Sequence, residues 1–237
     1  MLREPEAWVE AKRKAKENPN SARRIGSIAE LFRDSVLRRN TLVGITLGLA
    51  GMAGLWGIGY FSPELISTAL QGEPQTVVDS VRAYATTFQD TGAILGMLTF
   101  TFVATRWGRR PAFLGAFVLC FGTTVFVFNS LRSGRDAYWM LPLMGFAQLS
   151  VLAGYSIYFP EIFPTRVRGT GVGFCYNTVR YLAAGFPPML MGVNTLLARH
   201  GIENPFRKAA MILALVFLLG PFALIWAPET KGKTLPE

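Results

Sequence analysis

Charge is scarce in this chain: 16% of its 237 residues are Asp, Glu, Lys or Arg, against 51% that are hydrophobic. That balance, with a mean hydropathy of +0.31, is too apolar for an ordinary soluble domain. Histidine and cysteine are scarcer still. The single histidine, His200, stands in a polar stretch beside Arg199 and Glu203, and the two cysteines, Cys120 and Cys175, lie inside apolar segments at no zinc or redox spacing. Both cysteines are expected to be small packing residues, with no disulfide, metal or cofactor site. There is no nucleophile elbow and no metal-ligand cluster. Gly169, Gly171 and Gly173 spell GTGVG, but they open an apolar run instead of following a strand, so a dinucleotide site is not expected. These absences argue against an enzyme. Residues 1–40 also lack an apolar stretch fit to be a signal peptide, so targeting is expected to come from the first membrane span.

What the chain does have is long apolar runs separated by blocks of charge, a pattern of membrane spans and not of one soluble core. Residues 41–61 run about 21 positions without a charge, enough to cross a hydrocarbon core of ~30 Å at ~1.5 Å per residue. Further spans are expected at 83–105, 112–130, 137–159, 170–197 and 209–227, making an all-α membrane protein of six transmembrane helices. Residues 1–40 form a basic, water-exposed arm and 228–237 a polar tail. The fifth and sixth spans contain Pro187, Pro188 and Pro221, expected to kink the helices without ending them, because neighbouring helices can satisfy the freed carbonyls.

The formal charge of +9 raises the question of nucleic acid, and the placement of the basic residues answers it. Seventeen of the 24 Lys and Arg residues fall in the arm, the 106–110 loop, the 166–168 loop and the tail; six fall in the alternate loops; and Arg180 lies within the fifth span. That asymmetry is the positive-inside signature. It predicts a multi-pass protein of the inner membrane with both termini cytoplasmic, in contact with lipid and not with nucleic acid. Gly44, Gly48 and Gly51 in the first span, and the Gly92/Gly96 pair in the second, predict closely packed helices.

Four segments in order resemble the major facilitator superfamily, especially its sugar-porter and organic-acid symporter branches. ATRWGRRPAF, residues 104–113, resembles the loop between the second and third spans of a half, with Thr105 where the family carries an Asp. PEIFPTRVRGTG, residues 160–171, is similar to the loop between the fourth and fifth spans. PETKGKTLPE, residues 228–237, resembles the tail after the last helix. REPEAWVEAK, residues 3–12, loosely resembles the segment that follows the sixth helix of a complete transporter, which would place Met1 near the middle of such a protein.

The resemblance implies one six-helix bundle of a pair that rocks around a midplane site, with the other half absent from this chain. It also implies a cytoplasmic gate built from Arg106, Gly108, Arg109, Arg110, Glu161, Arg166 and Arg168. Gly108 would permit a tight turn, and Arg109 and Arg110 would bind helix ends and carboxylates. Glu161 is expected to pair with Arg166 or Arg168. Thr105 in place of an acid predicts a weaker latch.

An ionisable residue inside a span is a functional candidate, since burying it unpaired is costly. Asp90 lies roughly 10 Å deep and Arg180 roughly 15 Å deep, with direct pairing not favoured. YNTVRYLAA places Arg180 where organic-acid symporters carry an arginine able to clamp a carboxylate. Asp90 is the candidate proton carrier, and Gln148, Tyr155 and Asn177 are candidate substrate contacts that could equally serve as helix-to-helix glue. The expected function is a transporter, or half of one, for a small metabolite, with a proton-coupled organic anion first and a sugar second. Its expected partner is a second six-helix half or a second copy; a split or truncated product that transports nothing alone is the competing expectation.

Overall fold

The computed structural model describes Val9, Glu10, Arg13 and residues 26–236; most of the 3–12 segment and of the basic arm falls outside the described residues. Described residues form helices and turns with no strand. In chain order these are α1 (Ile28–Arg33), α2 (Ser35–Gly57), a 3-10 turn (Gly59–Phe61), α3 (Ser62–Ala69), α4 (Gln75–Trp107), α5 (Arg109–Ser130), α6 (Gly134–Ile162), α7 (Arg168–Ala183), α8 (Phe186–Arg199), α9 (Pro205–Leu213), a 3-10 segment (Ala214–Leu218) and α10 (Leu219–Ala223). Among the described residues, five stretches are long and apolar enough to cross a membrane: Ser35–Ala69, Arg109–Ser130, Gly134–Ile162, Arg168–Arg199 and Pro205–Ala223. The chain is therefore a multi-pass membrane protein. Helix α4, at 33 residues, spans ~50 Å, but threonines, Gln89 and Asp90 make it more polar than the others.

The helices begin and end where caps and prolines dictate, not where polarity changes. Helix α2 starts six residues before the expected span because Asp34 caps it, its carboxylate accepting the Val36 and Leu37 amides at 2.9 and 3.0 Å. Helix α4 starts eight residues early, and its first turns lie against α3, where Arg82 donates to the Pro63 carbonyl at 3.2 Å and to the Ser67 hydroxyl. Helix α6 opens on a reciprocal box in which Ser133 Oγ accepts the Asp136 amide and Asp136 accepts the Ser133 amide at 2.9 Å. The expected fifth span is two helices meeting at Ala184–Gly185, since Pro187 and Pro188 lack amides and disfavour helix just before them. Pro221 acts likewise on the last span, and the turns ahead of it tighten to 3-10.

With hydrocarbon outside as apolar as leucine, burial supplies little drive between the helices, and close backbone packing supplies more. Helices α4 and α6 meet this way: a Cβ at Gly92 would stand 2.1 Å from the Pro142 carbonyl oxygen, one at Gly96 2.0 Å from that of Phe146, and one at Gly145 2.1 Å from that of Gln89. No side chain can occupy those positions without separating the helices. Near the centre, Phe113 packs on Phe100 at 5.0 Å, on Tyr158 at 5.6 Å and on Tyr155 at 5.8 Å, and Tyr155 stacks on Phe159 at 5.0 Å. Cys120 and Cys175 are free and buried, with their sulfurs against the Ala147 and Thr41 carbonyls.

Helix α4 and the α7–α8 stretch leave much of their surface outside this core. The buried residues of α4 run Val78, Val81, Ala85, Gly92, Ala93, Gly96, Phe100 and Ala104, one helical stripe, and the other side exposes Tyr84, Phe88, Leu95, Leu98 and Phe102. In the stretch Arg168–Arg199 only 11% of the most apolar window is buried.

Candidate functional site

The loops at 106–110 and 163–168, the start of α2 and the tail meet at one end of the bundle. Gly108 ends α4 and begins α5 at φ 109°, a conformation that favours glycine. This tight reversal aims the first amides of α5 outward, where no carbonyl of their own helix can receive them. The Glu229 carboxylate of the tail takes them: the Arg109 and Arg110 amides donate to its two oxygens, each at 2.9 Å. The Thr230 and Lys231 amides donate to the same carboxylate at 3.0 Å. A Cβ on Gly108 would stand 2.8 Å from Glu229 Oε2, so glycine is needed twice over, for its φ and for the room. Burial alone would raise the Glu229 pKa, but the amides of Arg109, Arg110, Lys231 and Thr230 outweigh it and hold the carboxyl below its ordinary value of 4.5.

The Arg109 side chain reaches the end of α6. It binds Glu161 in parallel, Nε to Oε2 at 2.9 Å and Nη2 to Oε1 at 2.5 Å, and a third donor meets the Ala104 carbonyl at 3.0 Å. Thr230 closes the ring by donating its hydroxyl to Glu161 Oε2 at 2.6 Å, and Lys231 Nζ donates to the Arg106 carbonyl at 2.7 Å. The tail is thus bonded to the ends of α4, α5 and α6 at once.

The expected pairing of Glu161 with Arg166 or Arg168 is corrected. Arg109 occupies Glu161, and Arg166 binds Glu30 of α1 at 2.5 and 3.0 Å. Arg168 donates instead to the Phe163 and Pro236 carbonyls at 3.2 and 3.3 Å. The reason is competition: Arg109 already takes both Glu161 oxygens, while Glu30 and the Phe163 and Pro236 carbonyls lie within reach of Arg166 and Arg168. Thr105 takes no part, its hydroxyl turned back on the Thr101 and Phe102 carbonyls of its own helix. Arg110 joins by its backbone, and Arg106 through its carbonyl.

The membrane-embedded candidates divide into two groups. Tyr155 is 1% exposed and donates to the Leu47 carbonyl at 2.5 Å; Gln148 is 2% exposed and donates to the Thr124 hydroxyl at 3.3 Å. Both are packed inside the half and hold α6 to α2 and α5, the helix-to-helix role weighed for them beside substrate contact. Asp90, Asn177 and Arg180, by contrast, are exposed. Asn177 spends its amide on the Gly173 carbonyl of its own helix at 2.8 Å. Among the described residues no hydrogen bond or ion pair engages the side chain of Asp90 or of Arg180, nor joins the two. Helix α4 packs chiefly on α6, and α7 on α2.

Glu229, Glu30 and Thr230 were missed in the sequence as members of the network. The signal was present in part, since two amides following a left-handed glycine demand an anion, but nothing in the sequence says that a tail 120 residues away supplies it.

Comparison with known proteins places this arrangement. The family described as Sugar (and other) transporter matches residues 2–237. The inner membrane metabolite transport protein YdjE of Escherichia coli is 27% identical over 256 residues, covering 100% of this chain and 51% of that protein. The cis,cis-muconate transport protein of Acinetobacter baylyi is 29% identical over 192 residues, covering 80% of this chain and 44% of that protein. A crystal structure of a XylE double tryptophan mutant aligns at a TM-score of 0.61 with 20% identity, over 80% of this chain and 44% of that one. The chain spans about half the length of the curated relatives it matches.

Proposed function

The chain belongs to the sugar (and other) transporter family of the major facilitator superfamily, and on that premise we propose that it is one six-helix half of a proton-coupled transporter for a small organic anion. The observation that carries the reading is Arg180, an exposed guanidinium on α7 that pairs with no acidic side chain among the described residues. A planar fork at that depth suits a carboxylate, which it would hold by two parallel hydrogen bonds. Asp90, equally exposed on α4, is the group that would carry the proton, and α4 would join the five apolar stretches to make six spans. Relatives that include a muconate transport protein support an organic acid; the family's name and the PETKG tail favour a sugar as second reading.

The unpartnered sides of α4 and α7 are the surfaces a second six-helix unit would cover, whether another chain or another copy of this one, with the substrate between. Asn177, close to Arg180 along α7, would border the same space. Both termini would be cytoplasmic, so the Glu229 network would lie on the cytoplasmic side, closing when the tail docks and opening when it leaves.

Proteoliposomes holding the chain with its copurified partner test this. Uptake of cis,cis-muconate driven by an inward proton gradient is expected, lost in Arg180→Ala and uncoupled from the gradient in Asp90→Asn. Uptake of a neutral sugar unaffected by Arg180→Ala would overturn the anion reading in favour of the sugar. No uptake of either, from a chain that purifies as a lone monomer, would overturn the transport reading.

A further inference from the structure

Between α2 and α10, at the end of the bundle that carries the Glu229 network, runs an open groove of about 380 Å³. Val43 and Ala223, 4% and 3% exposed, form its floor. Leu42, Phe222 and Trp226 stand along its rim, each about half exposed. From Ser35 to Thr46 the groove follows twelve residues of α2, a length of ~16 Å that matches the depth of one leaflet, half of a ~30 Å core. Its mouth is of different chemistry: Arg38 and Arg39 both border it and both are exposed.

Among the described residues these two guanidiniums have no acid paired with them. No hydrogen bond or ion pair among the described residues uses either side chain. The carboxylates of the neighbouring elements are engaged elsewhere: Asp34 caps α2 through the Val36 and Leu37 amides, Glu30 holds Arg166, Glu161 holds Arg109 and Thr230, and Glu229 holds the start of α5. The remaining charge on the adjoining cavity wall, Lys233, is of the same sign. An apolar channel one leaflet deep, opening at the membrane surface onto two adjacent unneutralised arginines beside a tryptophan, has the chemistry of an anionic amphiphile.

We propose that this groove binds one anionic glycerophospholipid, an acyl chain lying between α2 and α10 and the phosphate resting on Arg38 and Arg39. The lipid would pin the start of α2 to the last helix from the bilayer side, next to the tail that Glu229 docks. This inference rests on the membrane-spanning fold and not on the transport reading, and it stands whether or not the chain moves a substrate.

Native mass spectrometry of the intact chain, delipidated in mild detergent and offered phosphatidylglycerol or phosphatidylcholine at equal concentration, tests it. One phosphatidylglycerol is expected to be retained in preference to phosphatidylcholine. The R38Q/R39Q variant should bind it roughly 30-fold more weakly, the effect of removing two interfacial cations, while R38K/R39K keeps most of the affinity. Ala223→Trp, which fills the floor and leaves both arginines, should also lose the lipid, and it decides the matter alone should R38Q/R39Q fail to fold by elution profile and circular dichroism. Equal retention of phosphatidylcholine by the wild-type chain, or full retention of phosphatidylglycerol by a folded R38Q/R39Q or by Ala223→Trp, would overturn the proposal.

Discussion

Replacing Glu229 by alanine removes the anion that receives the first two amides of α5. Two effects of known size are lost together: a helix cap, typically ~1 kcal/mol with a range of about 0.5–2, and the favourable placing of a negative charge at a helix N-terminus, about 0.3–1 kcal/mol. The released amides regain water at this half-buried surface, so the larger penalty for a buried orphan donor does not apply. The sum, about 1–3 kcal/mol, should open the 106–112 turn locally and speed hydrogen exchange at the Arg109 and Arg110 amides by roughly 5- to 150-fold. Exchange in the middle of α6 should not change. The pH dependence has a fixed sign. The folded-state pKa of Glu229 lies below the ordinary 4.5, so its contribution is complete above pH 4.5 and is lost as pH falls through the folded value. Wild-type protection at the turn should therefore collapse below pH 4.5, and Glu229→Gln should abolish that dependence while keeping part of the cap. Unchanged exchange in Glu229→Ala would refute the reasoning, as would a Glu229→Gln profile that still falls with acid.

Tyr155→Phe should cost about 0.5–1.5 kcal/mol through the lost bond to the Leu47 carbonyl, measured by denaturant unfolding in detergent, and should leave substrate affinity unchanged; a lower affinity would restore Tyr155 to the substrate site. Gly92→Val should be strongly destabilising, beyond the 1–3 kcal/mol usual for overpacking, whereas Gly115→Val, with nothing within 4 Å of its Cβ, should shift the melting temperature little. In a double-mutant cycle, Arg109→Gln and Glu161→Gln should couple by about 1–3 kcal/mol, while Glu161→Gln and Arg166→Gln should be additive; the reverse pattern would show that Glu161 pairs with Arg166 after all.

Particular residues show what was legible in the sequence. The spacing of Gly92 and Gly96 announced a close helix approach, and the approach is there, because a missing Cβ matters only where another backbone fills its place. Pro187 and Pro188 marked the disturbed part of the fifth span, but the helix ends at Ala183 and restarts at Phe186 where only a kink was expected, since a missing amide acts on the chain itself. Helix ends were less legible: the Asp34 cap starts α2, and α4 starts just after Pro74, both inside polar stretches where hydropathy has no voice. The pairing of Glu161 was misjudged because sequence proximity offered Arg166 and Arg168, and the guanidinium of better geometry came from 52 residues away.

The sequence by itself determined that this chain lives in a membrane, which stretches are apolar, where its helices pack by glycine and which family it joins, because each follows from local composition or from motifs read along the chain. The tertiary structure decided what those motifs hold. It enclosed Gln148 and Tyr155 within the bundle, left Asp90 and Arg180 on its surface, and brought the Glu229 carboxylate to the amides of α5. Burial and charge pairing depend on which helix faces meet, and the meeting of faces is fixed only when all the helices are packed together.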